Sequence, residues 1–189
     1  MKSRQTAAWR RKLPRRTANR PFLPWLRKRD SLTAQIQSMG KFSLELVRQQ
    51  LGRPTPDETA PLALRPRQLA WIREVSLQCN GQPVVFAHTV LTRNPRGPLT
   101  MWLARLGTRS LGALLFAHAG FRRGQLECRR LDHRHPLFMP AVTAMQLTAA
   151  PPDSLWARRS HFVFGRQKVL VTEIFSPCWA GRPSPKPGF

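Results

Sequence analysis

The chain has 189 residues, 41% of them hydrophobic, enough for one domain with its own core and short for two. Its 32 Lys and Arg against 9 Asp and Glu give a formal charge of +23, which points toward an anionic partner, yet Arg is spread through every segment rather than gathered into one stripe. No apolar run approaches the roughly 18 residues of a membrane span, and the three cysteines, Cys79, Cys128 and Cys178, are odd in number and widely spaced. That spacing argues against a disulfide framework and suits a reducing compartment, so a cytoplasmic protein is expected.

In chain order, residues 1–29 hold eleven Lys and Arg and no acid. The segment starts like a secretory signal but lacks the apolar centre of about 7 to 15 residues that export requires. Arg richness without acids is also the compositional mark of a mitochondrial presequence. Nucleic-acid contact by this arm is the weaker expectation, because most basic tails are simply solvated. The expected organisation is a basic, mobile arm over 1–24, one domain over 25–178 and a loose Pro-rich tail over 179–189.

Asp30 or Ser31 can cap a helix over 32–39, which Gly40 would close in a left-handed conformation. Residues 42–48 then alternate and read as a strand, followed by a Pro-rich loop over 53–61 and a second loop over 65–67. Strands over 71–79 and 83–91 meet through Asn80-Gly81, a tight-turn pair that tolerates positive φ. After the turn Asn94 to Pro98, helical spacing recurs over 99–106 and 111–116, broken by Gly107. Strands are expected over 126–131 and 160–164, separated by a Pro-interrupted connection from His133 to Leu155. The turn 165–168 leads into a last strand over 169–175. About six strands joined mostly by hairpins describe an α+β domain, an antiparallel sheet with flanking helices.

Two charges interrupt the apolar faces of these strands. Arg73 shares a face with Trp71, Val75 and Leu77, and Glu173 shares one with Val169, Val171 and Phe175, so both should point inward. Burying either alone costs several kcal/mol. Each therefore needs a partner, either the other residue or an ionic ligand, and the alternatives are a structural ion pair or a small-anion site. Other constellations carry less. Cys128, His133 and His135 lack a fourth ligand at a zinc spacing. His88, on the face of Val84, Phe86 and Val90, reads as a hydrogen-bonded core histidine. Ser110 and Ser160 lack a nucleophile elbow. The stretch L106-G-T-R-S-L-G112 is no phosphate loop, but its glycine-bounded turn can present backbone N–H groups to an anion.

Five stretches in order carry a resemblance: W25-L-R-K-R-D-S-L-T33, W71-I-R-E-V75, L106-G-T-R-S-L-G-A-L-L-F116, W156-A-R-R-S160 and L170-V-T-E-I-F175. Together they resemble the chorismate pyruvate-lyase (chorismate lyase) family of bacterial ubiquinone synthesis, from about Trp25 to Pro177. The resemblance implies a six-stranded antiparallel sheet with the site enclosed beneath helical flaps. It also implies elimination of pyruvate from chorismate to give 4-hydroxybenzoate, without metal or cofactor, in a protein expected to act as a monomer. The family's ligand-binding arginine falls on Arg73 and its glutamate, the catalytic residue, on Glu173. Its leucine with a site-lining backbone falls on Leu111, and its flap residue on Leu32. Two departures stand out: a proline usual before L-G is Ser110 here, leaving the turn less rigid, and a basic residue common in the next strand is His88, which puts a permanent second cation in doubt. The stretch from Phe121 to Leu155 matches poorly. The rival reading is a non-enzymatic small-molecule-binding module related to regulator effector domains, against which stands the lack of a helix-turn-helix pattern before the domain.

Overall fold

The computed structural model describes residues 8–13, 17–94, 97–107, 109–112, 115 and 120–180. Its strands are β1 (Phe42–Gly52), β2 (Ala70–Cys79), β3 (Gln82–Thr92), β4 (Arg122–Arg123), β5 (Glu127–Leu131), β6 (Leu155–Phe164) and β7 (Gln167–Phe175). All pair antiparallel in one seven-stranded sheet of order β1-β2-β3-β7-β6-β4, with β5 lying beside β4 along the same edge of β6. The helices are α1 (Leu23–Arg27), α2 (Leu32–Gln37), α3 (Pro56–Leu62), α4 (Pro98–Arg105) and α5 (Phe138–Ala144). The expected α+β class and the strands over 42–48, 71–79, 83–91, 126–131 and 169–175 are all present.

Both tight turns form where sequence placed them. Asn80 (φ 52°) and Gly81 (φ 76°) join β2 to β3, and Gly165 (φ 55°) opens the turn from β6 to β7. Gly40 is different: it does not take a positive φ, and α2 ends instead at Ser38. Its missing side chain makes room for Asn80, whose Oδ1 would lie 2.5 Å from a Cβ at position 40 and which accepts a hydrogen bond from Lys41 N at 2.8 Å. The glycine thus serves a close approach rather than a helix stop.

The segment 53–61, expected as a loop, contains α3. Thr55 and Glu58 form a reciprocal capping box around Pro56 at the first helical position, with Thr55 N donating to Glu58 Oε2 at 2.7 Å. Pro richness masked a helix start that T-P-D-E states openly. Likewise the connection 133–155 carries α5, and β6 begins at Leu155 rather than Ser160. Of the helix expected over 111–116, Leu111, Gly112 and Leu115 are helical and the rest lies outside the described residues.

β2, β3 and β7 are covered on both faces. The face bearing Arg73 lies under α1 and α2, through Trp25, Leu26, Leu32 and Ile36 on Val75, Leu77 and Phe175, and under Leu99, Leu106, Leu111 and Leu115 on Leu91 and Val169. The opposite face packs α5, through Phe138, Ala141 and Val142, on Phe86, Ala157 and Ile174. Part of what reads as a free arm is docked here: Arg10 exchanges backbone hydrogen bonds with Cys128, and Trp9 stacks under the Arg159 guanidinium, 4.3 Å from the ring centroid.

That opposite face also holds a compensated ionic network. His88, 1% exposed, bonds Glu74 Oε1 through Nδ1 at 2.9 Å and contacts Glu58 Oε1 through Nε2 at 3.2 Å, while Arg48 meets Glu74 at 2.7 Å. Asp57 joins His135, Arg129, Arg159 and Trp9. Burial alone would raise the Asp57 carboxyl, but hydrogen bonds from His135, Trp9 and Thr55 hold it well below the usual range. Burial alone would lower His88, but the carboxylates of Glu58 and Glu74 outweigh it and raise His88 to about 9. A raised imidazolium contributes stability that is fully present below its unfolded pKa of about 6.5 and lost as pH rises through the folded value. The unfolding free energy from urea titrations should therefore fall between pH 6.5 and 9.5, by an amount on the order of 3 kcal/mol. In His88→Gln the fall over this window should largely disappear; an unchanged fall would remove His88 as its cause.

Candidate active site

Register places Arg73 and Glu173 on one face. Arg73 opposes Thr89, which opposes Val171, and Glu173 lies two residues beyond, opposite Ala87 on one side and Arg158 on the other. Two strand spacings of ~4.8 Å and two residues of ~3.4 Å separate their Cα atoms by about 12 Å.

The two residues do not pair with each other. Arg73, 2% exposed, donates from Nη2 to the carbonyls of Gly107 at 2.9 Å and Arg109 at 3.0 Å, and its Nε has no hydrogen-bond partner. Burial lowers its pKa to about 10. Its acceptors are neutral, so its charge is held but not neutralised. The loop supplying them turns at Gly107 (φ 53°) and runs on to Ser110, whose hydroxyl is 2.7 Å from Thr33 Oγ1 on α2. That bond ties Leu111, next after Ser110, to Leu32, next before Thr33. Both leucines are buried, at 8% and 3%. The Ser110 departure is thus met by a hydroxyl contact to the helix that carries Leu32. On the same helix Gln35 is 4% exposed with both amide atoms unpartnered.

Glu173 forms an ion pair with Arg158, a residue with no exposed surface. Arg158 Nη1 donates to the carbonyls of Trp25 at 2.6 Å and Lys28 at 2.7 Å, tying down the C-terminal end of α1. Arg123, on β4, donates from Nε to Ser160 Oγ at 3.1 Å; burial lowers it to about 10, with the Glu173 charge acting against that. Sequence reading missed both cations. Arg158 alternates with Trp156, Ser160 and Phe162, a pattern like that which exposed Arg73, but the strand was read as starting at Ser160. His88, by contrast, is on the opposite face, so the second permanent cation beside Glu173 is Arg158.

The two faces differ in charge balance. On the opposite face, Asp57, Glu58, Glu74 and Glu127 meet Arg48, Arg129, Arg159 and His88. On the Arg73 face, the buried and half-buried strand charges among the described residues are Arg73, Arg123 and Arg158 against Glu173 alone. Three positive and one negative leave +2, a surplus suited to an anionic occupant. Cys128 and His135 do not converge on a metal: His135 turns to Asp57, and Cys128 Sγ lies 3.5 Å from the Leu26 carbonyl, its thiol pushed up to about 11 by burial. Among the described residues no group of three His, Cys, Asp or Glu is placed to hold a metal ion.

This antiparallel sheet with helices over both faces is an α+β fold also seen in domains of transcriptional regulators. The C-terminal domain of the histidine utilization repressor from Pseudomonas syringae pv. tomato superposes with a TM-score of 0.56 at 12% identity, covering 77% of this chain and 98% of that one. The PhnF C-terminal domain does so at 0.55 and 13%, covering 78% and 88%. At such identities the likeness concerns fold alone. Sequence goes further. The family model described as chorismate lyase matches residues 3–181. The probable chorismate pyruvate-lyase of Dechloromonas aromatica is 48% identical over 154 residues, covering 81% of this chain and 85% of the relative. That of an Azoarcus species is 41% identical over 173 residues, covering 90% and 91%. The chain belongs to the chorismate lyase family.

Proposed function

We propose that this protein converts chorismate to 4-hydroxybenzoate and pyruvate, the first committed step of ubiquinone synthesis. The observation that carries this reading is that Arg73 and Glu173 share one covered face about 12 Å apart by strand geometry, unpaired with each other and set in a net positive surround. Family membership supplies the substrate.

In this reading Arg73 receives the ring carboxylate in charge-assisted hydrogen bonds that fix orientation, its free Nε being an available donor. Glu173 meets the hydroxyl and ether end. There the ether C–O bond breaks and its electron pair leaves with enolpyruvate. The hydrogen on the hydroxyl-bearing carbon departs as a proton, and enolpyruvate gains a proton at its methylene to become pyruvate. Glu173 assists this proton relocation as an acid or base. Leu111 and Leu32 line the site with backbone groups and close its apolar walls. Aromatisation supplies the driving force, so holding a reactive conformer in a dry pocket accounts for most of the rate, and no metal or cofactor is required. No helix among the described residues is long and apolar enough to cross a membrane. From the cysteine usage and the family resemblance we read the protein as a cytoplasmic monomer acting on a small molecule.

The test is to supply chorismate to purified protein in the presence of a chelator and quantify both products. Pyruvate and 4-hydroxybenzoate should appear in equal amounts. The fold shared with regulator domains makes a binding module the alternative, and retention of intact chorismate would favour it.

A further inference from the structure

We infer that Arg158 is a substrate-binding residue and that its Nη2 receives the second carboxylate of the substrate, the one on the enolpyruvyl side chain. This rests on the reading of the site as a chorismate lyase centre. Every other donor of Arg158 is committed: Nε to Glu173, and Nη1 to the carbonyls of Trp25 and Lys28. Nη2 is buried and has no hydrogen-bond partner. A guanidinium N–H left unmet in a residue with no exposed surface is costly, and a carboxylate is the group that meets it most strongly.

The charge count agrees. Arg73, Arg123 and Arg158 against Glu173 leave +2 on this face, and the substrate carries two carboxylates. Arg73 accounts for one of them. Arg158 is bonded to Glu173 itself, so a ligand whose ether and hydroxyl meet Glu173 brings its enolpyruvyl carboxylate to the same end of the site. Arg158 also holds α1 through two carbonyls, so filling Nη2 completes a guanidinium that links substrate, Glu173 and the helix above them.

The experiment compares two unreactive ligands on the full chain by titration calorimetry. One is 4-hydroxybenzoate, which has only the ring carboxylate; the other is 3-(1-carboxyvinyloxy)-4-hydroxybenzoate, an aromatic dicarboxylate that keeps both carboxylates and the hydroxyl at the substrate's ring positions. Arg158→Gln should weaken the dicarboxylate about 10- to 100-fold more than it weakens 4-hydroxybenzoate, the difference being the loss expected for one charge-assisted contact. A merely structural Arg158 would weaken both alike. Arg158→Lys, which retains the charge without the planar fork, should show the same split in smaller degree, and serves if Arg158→Gln does not fold. Equal weakening of both ligands, an unaffected dicarboxylate, or a parent protein that does not bind the dicarboxylate would overturn the inference. Dicarboxylate binding that depends on Arg158 in a protein that leaves chorismate intact would instead refute the lyase reading and retain this one.

Discussion

Glu173→Gln is expected to lower kcat for chorismate by about 100-fold or more, with KM changed only a few-fold, as loss of a proton-handling group does. The substitution removes the carboxylate but keeps a carbonyl oxygen opposite Arg158, so the contact that holds the strand pair survives as a neutral-acceptor hydrogen bond. Thermal stability should therefore fall modestly. Glu173→Ala is a different experiment. It strips the carboxylate from a guanidinium with no exposed surface, and removing one partner of a buried pair costs about 3 to 5 kcal/mol. Steady-state kinetics and a melting curve on the two variants separate chemistry from folding. A Gln variant with parental kcat would exclude Glu173 from proton transfer.

Arg73→Ala should act mainly on binding, raising KM by about 100-fold, because two charge-assisted contacts to a carboxylate contribute roughly 1.5 to 3 kcal/mol each before compensation. A second effect accompanies the first. The carbonyls of Gly107 and Arg109 lose their shared donor, which loosens the loop that leads through Ser110 to Leu111. Arg73→Lys should restore little, since one ammonium cannot serve both carbonyls and a planar carboxylate. Affinity for 4-hydroxybenzoate, measured by calorimetry, should fall in parallel with that for substrate, because the ring carboxylate is common to both. Unchanged product affinity would place the ring carboxylate elsewhere.

Twofold alternation made Arg73 and Glu173 legible in the sequence, and it worked because each interrupts an apolar face in a strand whose ends were marked by turns. The same rule failed for Arg158, since it depends on knowing where the strand begins: Pro151 and Pro152 drew attention to a connection, while β6 starts three residues after Pro152. Glu74 escapes alternation for another reason. Alternation treats one face of a strand as solvated, but β2 is covered on both sides, and Glu74 is buried with His88 and Arg48. What no single strand could disclose is how the buried charges divide. That Arg73 leans on two carbonyls and Glu173 on Arg158, rather than on each other, depends on register across four strands and on a loop more than thirty residues away from Arg73 in sequence. The helix α3 is legible in T55-P-D-E58 when proline counts as a first-turn residue rather than as a breaker.

A snug aromatic anion at a buried cation is expected to leave slowly, so repeated turnover can be throttled by product. The decisive measurement is therefore a single turnover, with protein in excess over chorismate and a chelator present, quenched and resolved by chromatography. The account predicts that chorismate is replaced by equal amounts of 4-hydroxybenzoate and pyruvate, and that Glu173→Gln slows this about 100-fold or more. Recovery of intact chorismate from the parent protein, however tightly bound, would contradict it.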